Sequence, residues 1–222
     1  MVVRDCNFSV QKGEMIGLMG ESGSGKSTLA KLLIGLEKPS QGQVLLDGQP
    51  YSVKKSGVRI LLVFQDSLHS LNPHFTVEQV LTEALPKDVA REEIEAILED
   101  VGLDKSYLTQ PARQLSGGQL QRICIARGLL LKPDVLIFDE ALSGLDPIVQ
   151  GRLLRLLYDL WEKYQLTYLF ISHDFKLSYA LCHRILVMAD GEIVDEIKDF
   201  ELPIQAHHHV TKKLIGDKGH FS

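Results

Sequence analysis

No apolar run in this chain approaches the roughly 18 residues that a membrane-spanning helix needs, so any membrane role would be that of a peripheral subunit. The opening residues, Met1-Val2-Val3-Arg4-Asp5, do not form a secretory signal. Cysteine is scarce. Cys6, Cys124 and Cys182 are odd in number and scattered without metal-ligand spacing, a pattern of free thiols in a reducing compartment rather than a disulfide framework. Positive charge is not in excess either: the formal net charge of −5 disfavours a nucleic-acid partner. Internal repeats and low-complexity tracts are absent. What is present is 222 residues with 45% hydrophobic content, enough for one large α/β domain with a substantial core and room for an inserted subdomain.

Short apolar runs alternate with helical patterns. Residues 15–19, 60–64, 135–138, 166–171 and 185–188 read as buried strands. Residues 44–48 read as a strand and turn, and 4–10 as a strand near the start. Helical periodicity covers 27–36, 76–85, 91–101, 147–164 and 175–182; the long one places Leu153, Leu154, Leu157, Leu160 and Trp161 on one face. Ala189-Asp190-Gly191-Glu192 is a hairpin turn into Ile193-Val194. Strands alternating with helices imply a largely parallel sheet with right-handed crossovers. The expected division is a nucleotide-binding core over 1–65 and 129–199, a helical insertion over 66–128 and a polar, loosely packed tail over 200–222.

Gly20-Glu21-Ser22-Gly23-Ser24-Gly25-Lys26-Ser27 matches G-x-x-x-x-G-K-[ST], follows an expected strand and, with Thr28, opens an expected helix. Its glycines let backbone N–H groups curl around phosphate oxygens, and the helix N-terminus adds a favourable dipole. Lys26 would reach the β- and γ-phosphates of ATP and Ser27 would ligate Mg²⁺. The plainer alternative, a glycine-rich turn, does not account for this context. Val135-Leu136-Ile137-Phe138 ends in Asp139 and Glu140, carboxylates at a strand end where parallel sheets face their ligand crevice. Asp139 would hold Mg²⁺, and Glu140, pointing differently, would act as general base toward water. Without the phosphate loop, a solvated pair of charges would be an equal reading.

Leu115-Ser116-Gly117-Gly118-Gln119 opens a second helical run, with Ser116 as N-cap and the two glycines leaving backbone donors bare. In isolation it would be a serine-capped helix start. Beside a phosphate loop that already serves one γ-phosphate, it is a second anion site suited to a nucleotide held by another subunit.

With these three elements in this order, the chain resembles the ATP-binding cassette family of ATPases over nearly its whole length. The fold implied is an α/β phosphate-loop NTPase with a mostly parallel core sheet, an N-terminal antiparallel β portion and an inserted helical subdomain. The resemblance makes Ser116, Gly117, Gly118 and Gln119 the signature that closes over the partner's ATP. It makes Gln65 the glutamine that touches Mg²⁺ or the attacking water, His173 the histidine that contacts the γ-phosphate, and Asp146 part of a loop crossing the dimer interface. Gly144 stands where the family often has alanine. The family's adenine-stacking aromatic lies on a strand upstream of what is present here; weaker ATP affinity than in a longer version is therefore expected.

Phe64-Gln65-Asp66-Ser67 with Ser70-Leu71-Asn72-Pro73, and Leu-Ser-Gly-Gly-Gln-Leu-Gln-Arg over 115–122, are similar to the ATPases of oligopeptide, dipeptide and nickel importers, with the nickel type nearest. That branch implies a second ATPase subunit, commonly a paralogue, two membrane permease subunits and an extracytoplasmic solute-binding protein, at the cytoplasmic face of the membrane. Residues 209–214 are similar to a His-Pro-Tyr-Thr-Lys tail of one importer branch. His207-His208-His209 reads as part of a solvated tail, since consecutive imidazoles cannot all point one way. The alternative function is a cassette ATPase uncoupled from transport; a phosphate-loop small-molecule kinase would leave Ser116–Gln119 and Gln65 unexplained.

Overall fold

The structure, a computed structural model, describes residues 2–64, 71–83, 85, 89–142, 146–198, 200 and 204–216. Its elements in chain order are β1 (Met15–Met19), α1 (Lys26–Leu33), β2 (Leu45–Leu46), β3 (Gln49–Pro50), α2 (Val53–Ser56), β4 (Ile60–Phe64), α3 (Val77–Thr82), α4 (Arg91–Asp100), α5 (Gly117–Leu130), β5 (Val135–Asp139), α6 (Pro147–Tyr164), β6 (Thr167–Ile171), α7 (Phe175–Leu181), β7 (Arg184–Ala189), β8 (Glu192–Ile197) and α8 (His209–Ile215). Two 3₁₀ helices, Lys105–Thr109 and Ala112–Gln114, lead into α5.

Six strands form one sheet in the order β4-β5-β6-β1-β7-β8, parallel except for β8, which returns from β7 antiparallel. A parallel sheet is covered on both faces, so its strands must be apolar throughout; Met15-Ile16-Gly17-Leu18-Met19 is buried at every position. The two-residue pleat then divides the core. Ile16, Leu18, Ile137, Leu169 and Ile171 face Leu29 and Ala30 of α1. Met15, Met19, Phe138, Tyr168 and Phe170 face the opposite way, toward the helices that follow β4. On that second face Phe138 stacks on Phe170 at 5.0 Å and meets Tyr168 edge-on at 5.2 Å.

Three expectations need correction. Residues 4–10 join no strand ladder; Arg4 N–H instead donates to Gly191 O at the β7–β8 turn, at 2.9 Å. The strand expected over 44–48 shortens to Leu45–Leu46, paired with Gln49–Pro50. The described part of the tail is not loosely packed: α8 buries Val210, Thr211 and Ile215. Asp195 of β8 accepts His208 N–H at 2.8 Å and the Thr211 hydroxyl, which fixes the tail against the sheet edge. The histidine run is accordingly split. His208 caps α8 through its ring nitrogen and His209 begins the helix, and no cluster suited to a metal occurs among the described residues.

Candidate functional site

Three neighbouring strands, β5, β6 and β1, end on one edge of the sheet, with Asp139, Ile171 and Leu18 in a single register row. Whatever follows each strand is therefore collected at the same place, within about two strand spacings or ~10 Å. β1 is followed by the phosphate loop, β5 by Glu140, and β6 by Ser172 and His173.

In the phosphate loop, Gly23 and Gly25 have φ of 83° and 109°, left-handed values that glycine takes without penalty. At Gly20 a Cβ would lie 2.2 Å from Met188 O, a backbone atom on β7, so no larger residue fits. Gly25 then hands the chain into α1, whose first residue is Lys26. The Lys26 side chain is buried and Nζ donates to Gly20 O at 2.8 Å and Glu21 O at 2.9 Å, lying across the mouth of the loop. Burial lowers its pKa, opposed by the charges of Glu140 and Asp139. Among the described residues the buried Ser24 hydroxyl has no hydrogen-bond partner. Such an orphan costs on the order of 1–3 kcal/mol, and a phosphate oxygen in the loop would satisfy it.

Ser27, in the first turn of α1, is hydrogen-bonded to Asp139 at the end of β5. Asp139 has a raised pKa because it is desolvated and lies near Glu140, while Ser27 and Lys26 oppose the shift. A half-buried carboxylate beside a hydroxyl is a hard-oxygen pair that fits Mg²⁺, which takes one or two protein oxygens and completes its shell with phosphate and water.

Glu140 has a φ of 51°, uncommon for a residue with a side chain. Its N–H donates to Ile171 O at 3.0 Å, so the strand pairing with β6 holds this turn in place. The turn separates the Glu140 side chain from that of Asp139. Glu140 Oε1 lies 3.0 Å from His173 Nδ1, joining the residues after β5 and β6. Ser172 Oγ accepts Asp174 N–H at 3.0 Å, and Asp174 caps α7, which fixes the His173 backbone from behind.

The Ser116–Gln119 segment is built separately. Ser116 Oγ accepts Gln119 N–H at 3.4 Å while Gln119 Oε1 accepts Ser116 N–H at 2.8 Å, a reciprocal capping box. Around Gly117 and Gly118 there is open space where side chains would stand, leaving the α5 N-terminus bare. Among the described residues, the side-chain hydrogen bonds of Ser116 and Gln119 stay within residues 107–119 and none reaches the phosphate loop. Asp146 caps α6 by accepting Ile148 N–H at 2.9 Å and is exposed. Gln65 lies outside the described residues, as does Gly144.

Two contacts went unread in the sequence. Lys213 of α8 reaches Glu21 in the phosphate loop at 2.5 Å and holds its carboxyl below the usual range. Tyr107 accepts from Gln119 Nε2 at 2.9 Å. A basic residue in a polar tail and a single tyrosine outside any periodic run carry no pattern that would have pointed to either.

The nucleotide edge and a separate serine-capped helix that opens on two glycines define a cassette ATPase. Residues 3–143 match the family model described as ABC transporter. The chain is 40% identical over 221 residues to the metal-staphylopine import system ATP-binding protein CntF of Staphylococcus aureus, covering 96% of this chain and 88% of that one. It is 41% identical over 206 residues to the nickel import ATP-binding protein NikE of Escherichia coli K12, covering 87% and 77%. Among solved structures, cbiO1 from Clostridium perfringens, part of the ABC transporter complex cbiONQ, superposes with a TM-score of 0.78 at 30% identity, covering 88% and 81%. A dimeric post-hydrolysis state of the cassette MJ0796 bound to ADP and Pi superposes at 0.72 with 28% identity, covering 89% and 90%.

The chain belongs to the ABC transporter family. It is an ATPase that uses ATP with Mg²⁺ and powers transport.

Proposed function

We propose that this chain powers the import of nickel, free or chelated, or of short peptides, by hydrolysing ATP at the cytoplasmic face of a membrane transporter. The observation that carries the ATPase half is the meeting of Lys26, Ser27, Asp139, Glu140 and His173 at one sheet edge. The cargo half draws on the relatives, whose printed activities are nickel import and metal-staphylopine import. Nickel is the first choice and peptides the second. Those relatives also weigh against a cassette ATPase uncoupled from transport.

ATP would lie along Gly20–Thr28, with Lys26 turning from the loop carbonyls to the β- and γ-phosphate oxygens and Ser24 donating to a phosphate. Ser27 and Asp139 would hold Mg²⁺, which when bound offsets phosphate charge. Glu140 accepts a proton from water as the hydroxide oxygen bonds to the γ-phosphorus; the bond to the β–γ bridging oxygen breaks and ADP leaves with that electron pair. His173, 3.0 Å from the same carboxylate, orients it and reports the presence of the γ-phosphate. Ser116, Gly117, Gly118 and Gln119 would face the γ-phosphate of a second ATPase subunit, most naturally a paralogue, with Asp146 at the seam between the two. Gln65 would touch Mg²⁺ or the water, and residues 65–75 would contact the coupling segment of one of two permease subunits. A solute-binding protein outside the membrane would supply the cargo. None of the described helices is long and apolar enough to cross a membrane, which is consistent with peripheral attachment.

The deciding experiment compares cellular uptake of radiolabelled nickel and of a labelled dipeptide, with the unsubstituted chain and with Glu140→Gln. Loss of nickel uptake alone supports the first choice; loss of dipeptide uptake alone moves the cargo to peptides. Uptake of both at the unsubstituted rate would refute the importer reading.

A further inference from the structure

The capping box of α5 has an outer support. The Gln119 carboxamide must turn its oxygen toward Ser116, because Ser116 N–H can only donate. Its nitrogen is then aimed the opposite way, and Tyr107 Oη receives it at 2.9 Å in a partly buried setting. Two bonds at opposite ends of one planar group fix that group, and with it the Ser116 N–H and the exposed Gly117 and Gly118 amides.

Tyr107 is itself held firmly. It sits in the 3₁₀ helix Lys105–Thr109, where Asp104 caps the start by accepting Ser106 N–H at 2.8 Å and the adjacent Leu108 is 1% exposed. The Tyr107 ring packs against the larger core cluster. The chain beyond it is pinned to the start of α3: Val77 N–H donates to Gln110 O at 2.9 Å, Ala112 N–H donates to Phe75 O at 2.8 Å, and Thr76 bridges Pro111.

We propose that Tyr107 is the positioning residue of the signature: its phenol oxygen anchors the Gln119 carboxamide, so that Ser116, Gly117 and Gly118 are presented ready-formed to the γ-phosphate held by the second subunit. The proposal rests on the dimeric reading given above. Its support reaches Phe75 and Thr76, close to the face proposed to meet the permease, so a shift there would be felt at the signature through Tyr107. Because the signature acts on the other subunit's nucleotide, this role separates from binding at the chain's own phosphate loop, which has none of these contacts.

Tyr107→Phe removes one oxygen and keeps the packed ring. The full chain carrying Glu140→Gln, alone and mixed with its partner ATPase, is titrated with a fluorescent ATP and Mg²⁺ for binding and studied by light scattering for ATP-driven dimerisation. Hydrolysis is measured with Glu140 intact. Adding Tyr107→Phe is expected to leave nucleotide binding within about twofold, while dimerisation weakens and hydrolysis slows about five- to tenfold, the worth of one partly buried hydrogen bond. Dimerisation and hydrolysis unchanged by Tyr107→Phe would overturn the assignment. So would an equal loss in nucleotide binding, which would mean general damage to the fold. If the chain with Tyr107 intact forms no ATP-driven dimer in either setting, the dimeric reading falls and the tyrosine's role with it.

Discussion

Gly17 lies at the centre of β1, paired with Phe170 on β6 and Ile185 on β7, and its backbone is ordinary extended strand. Replacing it with alanine is therefore a question of space. A Cβ there would stand 3.2 Å from Ile185 Cγ1, 3.3 Å from Ser178 Cβ and 3.4 Å from Cys182 Sγ. Alanine in place of glycine within a strand is worth about 0.5–1 kcal/mol through the unfolded chain. Overpacking a close-packed core costs about 1–3 kcal/mol. Here the cost should win, because Ser178 Cβ is tied to the α7 backbone and cannot rotate away. The expected net loss is about 1–2 kcal/mol. At roughly 2–4 °C per kcal/mol for a chain of this size, the melting temperature should fall by about 2–8 °C, read by scanning calorimetry. Catalysis should respond as well. Ser178 is on α7 and Cys182 follows it, and α7 begins just after His173, so relief by sliding α7 outward would lengthen the 3.0 Å contact between His173 and Glu140. ATPase turnover at 25 °C, where the variant is still folded, should drop severalfold. A Gly17→Ala chain that melts at or above the unsubstituted temperature would refute the packing argument.

Thr211→Val should loosen α8, because it removes the hydroxyl that meets Asp195; faster tryptic cleavage at Lys212 and Lys213 would report it, and unchanged cleavage would contradict the docked tail. At Glu14, desolvation pushes the pKa up but is outweighed by the hydrogen bond and charge of Arg184, so the carboxyl titrates below its ordinary 4.5. That pair stabilises the fold above pH 4.5 and is lost as pH falls through the lower folded-state value, so Glu14→Gln should reduce stability at neutral pH and flatten the acid limb of a stability-versus-pH curve. Burial pushes the Cys182 thiol up to about 12 and the Cys124 thiol to about 11, so both should react slowly with a disulfide reagent at pH 8 until denaturant is added; prompt native titration of all three cysteines would contradict this.

The limits of β1, β4 and α6 coincide with the sequence reading because β1 and β4 are unbroken apolar runs flanked by polar residues or glycine, and α6 is a long amphipathic pattern opened by Asp146 and Pro147. The α6 face was less legible. Leu156 is buried and Leu154 only partly, a rotation set by what α6 packs on rather than by its own periodicity. The tail was misread for a similar reason. Thr211 and Lys212 look solvated in sequence, but Thr211 is fully buried because Asp195, sixteen positions earlier, accepts its hydroxyl. Residues 4–10 have the apolar alternation of a strand, yet a strand needs a partner edge; here Arg4 and Cys6 bond to Gly191 instead, and Phe8 and Val10 pack on the core.

The sequence alone determined the parts whose contacts are local. The phosphate loop closes within Gly20–Ser27 on glycine torsions and the start of one helix, and the α5 cap closes over the four residues Ser116–Gln119. It could not show how Glu140 meets His173, 33 positions away, how Ser27 meets Asp139, or how Tyr107 steadies Gln119. Those pairings follow from the strand order β5-β6-β1 and from a 3₁₀ helix laid beside α5. Only the parallel sheet, by ending three strands on one edge, turns separate motifs into a single site, because its neighbours are chosen by burial and crossover handedness rather than by nearness along the chain.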